Sequence, residues 1–154
     1  MSYLDTVKRF YSAFNERDSE VMNSCYHEDV RFTDPVFQHL DYNETKAMWS
    51  MLVSRATDLT VELVSCKEQG NIVVANWEAI YTFSKTGRKV HNRIEATLRF
   101  EDELIIDHVD RFDIYNWCKM AFGFLGLILG WTSKFQNKVR VMAEKSLNSY
   151  MSKT

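Results

Sequence analysis

Hydrophobic and polar residues alternate through the second half of the chain, and this alternation predicts four β-strands. The strands span residues 60–67, 72–83, 88–100 and 104–113, separated by short turns rich in Gly, Asn, Thr or acidic residues. Because successive side chains of a strand point to opposite faces, each strand presents one mainly apolar face. The four strands are therefore expected to form an antiparallel meander with one face on the core.

The turns also predict how the strands align. A tight turn in the second hairpin would pair Tyr81 with Asn92, and a three-residue turn in the third would pair Ala96 with His108. Both alignments place the apolar faces on the same side of the sheet, as a common core requires.

Helical periodicity marks the first half of the chain. Val7, Phe10, Tyr11 and Phe14 recur at i, i+3, i+4 and i+7, which predicts an amphipathic helix. Three further elements are predicted: a helix over 21–26 after a cap at Asp18-Ser19, a strand over 30–34, and a helix that Asn43 caps and that runs to Arg55. Helices followed by an antiparallel sheet with one apolar face predict an α+β fold.

The tail after Asp113 is predicted to be helical, with a break at Gly130-Trp131 and a last amphipathic helix from Phe135 to Tyr150. Residues 120–131 are almost entirely apolar, but this stretch is shorter than the ~20 residues that a membrane span needs. We interpret it as a packed helix or a lid over the sheet, because a patch this apolar is seldom exposed. A surface that touches a membrane or a partner is the alternative.

Composition limits the classes of function. The chain has 154 residues and a net charge of −2 with acidic and basic residues interspersed, so no nucleic-acid surface is predicted. We expect one domain over residues 1–154, with a core over 1–113 and a helical extension over 114–154. Three cysteines without C-x-x-C spacing and the absence of a signal-peptide pattern suggest reduced thiols and a cytoplasmic location.

Two polar residues stand on an apolar strand face. His108 and Asp110 alternate with Leu104, Ile106 and Phe112, so they must be paired or must face a cavity. Side chains at i and i+2 lie ~6.6 Å apart along a strand. We therefore expect His108 and Asp110 to bracket one ligand atom or water rather than bond each other, with mutual pairing as the alternative.

A second candidate carboxylate is Asp34, which precedes Pro35, the only proline of the chain. A residue before proline is driven towards extended geometry, so Asp34 is expected at a strand end. Asp before Pro is also common in turns, which is the structural alternative.

Several segments resemble the SnoaL-like (polyketide cyclase-like) branch of the nuclear transport factor 2-like superfamily, which also includes ketosteroid isomerases. They are residues 10–14, 26–37, 91–96, 107–113 and 129–132. The resemblance implies a curved antiparallel sheet that helices wrap into a cone with one deep pocket, and a homodimer. It does not imply an activity, because this fold carries enzymes and non-catalytic modules alike.

Residue matches to the enzymes of this superfamily are partial. Asp34 matches the general base of ketosteroid isomerases, whereas their two oxyanion donors correspond here to Phe10, with Tyr11 beside it, and Ala96. Asp110 matches the last-strand acid of limonene-epoxide hydrolases, but the other two positions of that site are occupied by Trp77 and Ala79. A cavity carboxylate of the polyketide cyclase type is supplied by Asp110 together with His108.

The predicted function is cofactor-free acid–base catalysis of the isomerase, cyclase or hydratase type on a hydrophobic small molecule. Asp34 is the predicted base, His108 the proton donor and Asp110 the second acid or water-positioning group. The predicted ligand-binding residues are Phe10, Tyr11, Trp49, Trp77, Tyr81 and Asn92. The alternative is a non-catalytic dimeric module whose pocket binds a ligand or is vestigial.

A metal site is the alternative to cofactor-free catalysis. His27-x-Asp29 and His108-x-Asp110 each supply part of a set of two histidines and one carboxylate, but no histidine follows His108 to complete the second set. Neither a metal nor another cofactor is therefore predicted.

Overall fold

The computed structural model describes residues 2–153 and confirms the predicted α+β class. The helices of this part of the chain are α1 (Tyr3–Asn15), α2 (Ser19–Ser24), α3 (Tyr42–Arg55), α4 (Ile114–Phe122), α5 (Phe124–Leu129) and α6 (Ser133–Ser152). Its strands are β1 (Tyr26–Thr33), β2 (Thr60–Gln69), β3 (Ile72–Phe83), β4 (Arg88–Glu101) and β5 (Leu104–Arg111).

One curved, open sheet contains all five strands in the order β1-β5-β4-β3-β2. The last four strands form the predicted antiparallel meander, and β1 joins its far edge in parallel to β5, with Phe32 opposite His108. The sequence pattern did not reveal this parallel pairing, because residues distant in the chain form it. It brings the end of β1 beside the strand that carries His108 and Asp110.

The predicted register of both hairpins is wrong by two residues. Tyr81 pairs with Val90, and Ala96 pairs with Asp110 rather than His108. In the β3–β4 hairpin, pairing stops at Phe83 and Arg88, which leaves a four-residue connection where a two-residue turn was predicted. Since side chains alternate with period two, an error of two residues does not by itself move a side chain to the other face.

In the β4–β5 hairpin a two-residue turn and a bulge replace the predicted three-residue turn. Asp102 and Glu103 form the turn with positive φ angles of 52° and 65°. The register then shifts, because Phe100 pairs with Ile105 while Arg99 pairs with Asp107, so Ile106 is the extra residue. As a result Ile105 is fully buried, whereas Leu104 and Ile106, predicted for the core face, are half-buried.

In the first half of the chain, local side-chain hydrogen bonds determine where helices α2 and α3 begin. The Asp18 side chain caps α2, as predicted, but that helix ends at Ser24 and Tyr26 already belongs to β1. The predicted cap Asn43 is wrong, because Asp41 accepts from the backbone of Glu44 while the Glu44 carboxylate accepts from the backbone of Asp41. This reciprocal arrangement satisfies two N–H groups that have no partner inside the helix.

The C-terminal region packs against the rest of the fold at two places. Trp117, Cys118 and Ala121 of α4 form a second small apolar cluster with Val90 of β4. In α6, the Arg140 side chain donates to the backbone oxygen of Pro35 at 2.8 Å, which ties the last helix to the turn after β1. Residues 114–152 therefore close one side of the sheet.

The interpretation of residues 120–131 as a packed helix or lid is wrong for α5. The apolar side chains of this short helix and of the following turn are 40–75% exposed: Phe124, Leu125, Leu127, Ile128, Leu129 and Trp131. Only Met120, Ala121 and Phe122, at the end of α4, join an apolar cluster. None of the helices within residues 2–153 is long and apolar enough to cross a membrane.

The close approach of α5 to α4 predicts an unequal response to two neighbouring substitutions in α5. A Cβ at Gly126 would overlap the backbone carbonyl of Cys118, so Gly126→Ala must separate the two helices. We expect it to lower the free energy of unfolding in urea by about 1–3 kcal/mol. Leu127→Ala is the control, because that side chain is 50% exposed and its loss should cost less than about 1 kcal/mol. Equal losses would contradict the close packing.

Candidate functional site

A cavity of about 230 Å³ lies between the inner face of the sheet and helices α3 and α6. Its wall is mostly apolar and aromatic, as is usual for small-molecule sites. The largest apolar side chains of this wall are Phe14, Phe37, Met48, Trp49, Trp77, Phe83, Phe112, Trp117 and Met142. Polar side chains from the sheet and the turn after β1 interrupt it, among them Asp34, Tyr81, Asn92 and Asp110.

A chain of buried hydrogen bonds ends at the cavity wall. Trp49 Nε1 donates to the Tyr26 hydroxyl at 2.8 Å, and this hydroxyl lies 2.8 Å from His108 Nδ1. His108 Nε2 in turn lies 2.9 Å from Asp110 Oδ1. The expectation that His108 and Asp110 would not bond each other directly is therefore wrong.

The direction of this chain fixes the protonation pattern. Because the Tyr26 oxygen accepts from Trp49, and burial raises the pKa of Tyr26 well above its usual range, the Tyr26 proton points to His108 Nδ1. Nδ1 then accepts, so the hydrogen of a neutral His108 lies on Nε2 and is donated to Asp110. Each donor in the chain orients the next group, and the Asp110 carboxylate is the last.

His108 is enclosed by aromatic rings and does not line the cavity. Its ring centroid lies 4.9 Å from that of Phe32, 5.9 Å from that of Phe10 and 6.1 Å from that of Trp49. The side chain is fully buried behind Asp110. The predicted donor is thus positioned to hold Asp110 and not to contact a ligand.

Asp34 lies in a turn directly after β1, and the turn uses only one of its carboxylate oxygens. Asp34 Oδ1 accepts from the backbone N–H groups of Val36 at 2.7 Å and Phe37 at 2.6 Å. Neither Asp34 Oδ2 nor Asp110 Oδ2 has a hydrogen-bond partner within the part of the chain that the structure describes. Both the predicted site role and the structural alternative of a turn residue are compatible with this geometry.

The pKa of Asp34 is raised from its ordinary value of 3.8 to about 7. Burial is the main cause, and the nearby Asp110 carboxylate adds to it, while the backbone N–H groups of Phe37 and Val36 oppose the shift. Part of the Asp34 surface is accessible, but this part lines the cavity. Asp34 is therefore a carboxyl group that titrates near neutral pH beside a second carboxylate.

Tyr81 and Asn92 supply neutral polar groups to the same cavity. Trp117 Nε1 donates to the Tyr81 oxygen at 2.9 Å, so the Tyr81 proton is free to be donated elsewhere. Burial raises the pKa of Tyr81, which keeps this proton on the hydroxyl. The Asn92 side chain is nearly buried and has no hydrogen-bond partner within the described residues, so its amide also faces the cavity unpaired.

Two of the residues predicted to bind a ligand do not line the cavity. Phe10 packs against the rings of Tyr26, Trp49 and His108. Tyr11 lies against Trp77, and its buried hydroxyl has no hydrogen-bond partner in the part of the chain that the structure describes. The first helix therefore supports the wall from behind, while Trp49, Trp77, Tyr81 and Asn92 lie in the wall as expected.

Sequence reasoning missed the wall that the C-terminal region contributes. Trp117 of α4 and Val139, Met142, Ala143 and Ser146 of α6 all line the cavity. The apolar spacing of the last helix was visible in the sequence, and it predicted a buried face without showing what that face covers. Nothing in the hydrophobic spacing of the sequence indicated the hydrogen bond from Trp117 to Tyr81.

The metal interpretation gains no support from the described residues. Within residues 2–153, no group of three or more His, Cys, Asp or Glu side chains is placed to hold an ion. His27 Nδ1 accepts from the backbone of Asp29 at 3.0 Å, and His27 Nε2 lies 3.7 Å from Asp102 Oδ2. His27 thus serves the local geometry of β1 and the neighbouring turn.

Comparison with known proteins identifies the fold. Residues 7–108 match the family model of the SnoaL-like domain. Among solved structures, IdmH from Streptomyces antibioticus, a proposed polyketide cyclase, is 20% identical with a TM-score of 0.66, over 76% of this chain and 96% of that one. An LEH-like epoxide hydrolase from M. tuberculosis is 16% identical with a TM-score of 0.67, over 83% and 96%. No curated protein matches the sequence.

A third similar structure has a ketosteroid isomerase-like fold. This protein, from Catenulispora acidiphila, was crystallised with trimethylamine and is 10% identical with a TM-score of 0.67, over 76% of this chain and 92% of that one. Identities this low establish a shared fold and no shared activity.

The hydrogen-bond chain predicts opposite responses from two buried tyrosines. Tyr26→Phe leaves both Trp49 Nε1 and His108 Nδ1 without their partner, so we expect the free energy of unfolding to fall by about 2–4 kcal/mol. Tyr11→Phe removes a buried hydroxyl that has no partner, so we expect no loss or a gain of up to about 1 kcal/mol. Urea denaturation measures both, and similar losses in the two variants would refute the assignment.

The pKa of Asp34 predicts a pH dependence of stability. The folded state favours protonated Asp34, because its pKa is about 7 when folded and near 3.8 when unfolded. Its contribution to stability is therefore fully present below about pH 4 and is lost as the pH rises through 7. We expect the stability of the Asp34→Asn variant, relative to the unsubstituted protein, to rise between pH 4 and pH 8.

A carboxyl NMR titration tests the same value directly. The Asp34 signal should titrate near pH 7, and Asp110→Asn should lower this midpoint because it removes the neighbouring negative charge. Asp107→Asn is the matched control, since Asp107 lies on the same strand but does not line the cavity. A midpoint below 5 in the unsubstituted protein would contradict the predicted environment.

Proposed function

The chain belongs to the SnoaL-like domain family, and we propose that its cavity carries out cofactor-free proton transfer next to the carbonyl group of a small hydrophobic molecule. The observation that carries this proposal is the pair Asp34 and Asp110. Each carboxylate has one oxygen held by the protein and the other unpartnered, and both line the same apolar cavity. Isomerisation and cyclisation of carbonyl compounds both begin with such a proton transfer.

Asp34 is the proposed general base. A base is most effective when its pKa is close to the working pH, and the pKa of Asp34 is about 7. Oδ1 is fixed by two backbone N–H groups, so the carboxylate keeps its orientation while Oδ2 takes the proton. The electron pair of the broken C–H bond then forms a C=C double bond, and the π pair of the carbonyl moves to its oxygen, which gives an enolate.

Tyr81 and Asn92 are proposed to stabilise the enolate oxygen. The Tyr81 oxygen already accepts from Trp117, which directs the hydroxyl proton away from α4, and the Asn92 amide has no partner among residues 2–153. Donors that are already oriented where negative charge develops lower the barrier without reorganisation. This pair would take the role of the two oxyanion donors of ketosteroid isomerases, whose positions are occupied here by Phe10 and Ala96.

Asp110 is proposed to return the proton or to position a water molecule, and His108 to hold Asp110 in place. His108 is thereby a positioning residue, since Asp110 separates it from the cavity. Hydration of an epoxide is the weaker candidate, because Arg55, the arginine among the wall residues, is exposed rather than placed beside Asp110. The homodimer and the single domain over residues 1–154 stay predictions.

Hydrogen–deuterium exchange tests the proposal without knowledge of the natural substrate. The probe is 2-tetralone, a hydrophobic ketone with acidic C–H bonds beside its carbonyl, followed by proton NMR in D2O. We expect the protein to accelerate exchange and Asp34→Asn to reduce the acceleration by about 100-fold or more. Tyr81→Phe should reduce it by at least about tenfold, because one donor to the enolate is lost.

The pH profile and a matched variant complete this test. Exchange should rise with pH to a plateau above about 7, as Asp34 loses its proton, and Asp110→Asn should move the rise to lower pH. Asp107→Asn controls for a lost carboxylate on β5 and should change neither rate nor profile. Binding of 2-tetralone with no accelerated exchange would favour the alternative, a non-catalytic ligand-binding module.

A further inference from the structure

An open groove adjoins the cavity and is lined by cations. The groove has a volume of about 1160 Å³ and runs along α6. Arg55, Lys85, Met142 and Ser146 line both spaces, so the groove is continuous with the mouth of the cavity. Its five cationic side chains are Arg55, Lys85, Lys134, Lys138 and Lys145.

The positive charge of this groove is not neutralised by the protein. The groove lining contains no Asp or Glu, although the chain as a whole has a net charge of −2. Within residues 2–153, none of the five cations makes an ion pair or a side-chain hydrogen bond. Cations gathered in a concave surface strengthen one another's field and attract an anion.

The placement of three of these cations on α6 does not stabilise that helix. Lys134 and Lys138 stand at i and i+4 on α6, where like charges destabilise a helix. These residues also lie beyond the segment 7–108 that matches the SnoaL-like domain. Three of the five groove cations thus come from the region after that segment, whereas Arg55 and Lys85 lie within it.

We propose that the ligand of the cavity is an amphipathic anion, with an apolar body that fills the cavity and a carboxylate, sulfonate or phosphate group that binds at Arg55 and Lys85. This inference rests on the proposed binding role of the cavity and deepens it. The two cations stand where the groove and cavity meet. The lysines of α6 extend the positive surface away from the mouth.

Charge also determines which way such a ligand enters. Asp34 and Asp110 lie in the cavity wall, so an anionic end placed beside them would meet like charge in an apolar space. The anionic group therefore stays at the mouth, and the opposite end of the molecule reaches the carboxylates. The two cations at the mouth thus determine which end of the substrate reaches Asp34.

Two fluorescent probes isolate the anionic group. 8-Anilinonaphthalene-1-sulfonate and N-phenyl-1-naphthylamine share one ring system and differ only in the sulfonate. We expect the sulfonate to bind more tightly, and the double variant Arg55→Gln/Lys85→Gln to weaken its binding at least about tenfold. Binding of the neutral amine should stay within about twofold, because its apolar contacts are unchanged.

Three control variants separate this effect from others. Lys8→Gln/Arg99→Gln removes two exposed cations outside the groove and should not alter either probe, which excludes an effect of net charge. Trp131→Ser alters the exposed apolar surface at α5 and should also leave both probes unaffected. Ala79→Phe, or Ala143→Phe at α6 should the first fail to fold, fills the cavity and should weaken both probes.

The outcomes distinguish this inference from the function on which it rests. If the cavity-filling variant blocks the amine but both probes bind equally and Arg55→Gln/Lys85→Gln has no effect, the pocket stands and the anionic ligand is refuted. If neither probe is affected by filling the cavity, the pocket itself fails and this inference fails with it. Competition by decanoate, decyl phosphate and decanol then identifies the anion, with decanol expected to be the weakest.

Discussion

Four buried side chains, each donating a hydrogen bond to the next, connect the parts of this protein that have to be held together. Trp49 belongs to α3, Tyr26 to β1, and His108 and Asp110 to β5. In an apolar interior each of these groups needs its partner, because an unpaired polar group there is costly. The chain therefore fixes α3 over the β1–β5 pair and delivers one oriented carboxylate to the cavity.

The cavity depends on this arrangement and on a second contribution from the end of the chain. The sheet and the turn after β1 supply the carboxylates, Tyr81 and Asn92, whereas α4 and α6 supply Trp117 and part of the remaining wall. The bond from Arg140 to the Pro35 carbonyl joins the two contributions beside Asp34. The sheet and the turn after β1 thus provide the acid groups, and the C-terminal region encloses them and adds the lysines of the groove.

Most of the fold and part of the site were accessible from sequence. The two-residue error in register did not change the predicted faces of Asp110 and Asn92, because side chains along a strand alternate with period two. The direct bond between His108 and Asp110 was missed, because spacing along an ideal strand says nothing about how far two side chains lean towards each other. The bulge at Ile106 was also missed, since hydrophobic spacing in a strand of Leu and Ile accommodates either register.

The amino-acid pattern was enough to predict the α+β class, the faces of most strand residues, and the presence of polar residues on an apolar face that required partners or a cavity. These properties follow from local periodicity and from the cost of burying polar groups. Only the tertiary structure decided which partners those residues have, that His108 stands behind Asp110, and that α6 forms a wall of the cavity. Such contacts join residues far apart in the chain, and nothing in local spacing encodes the distance between them.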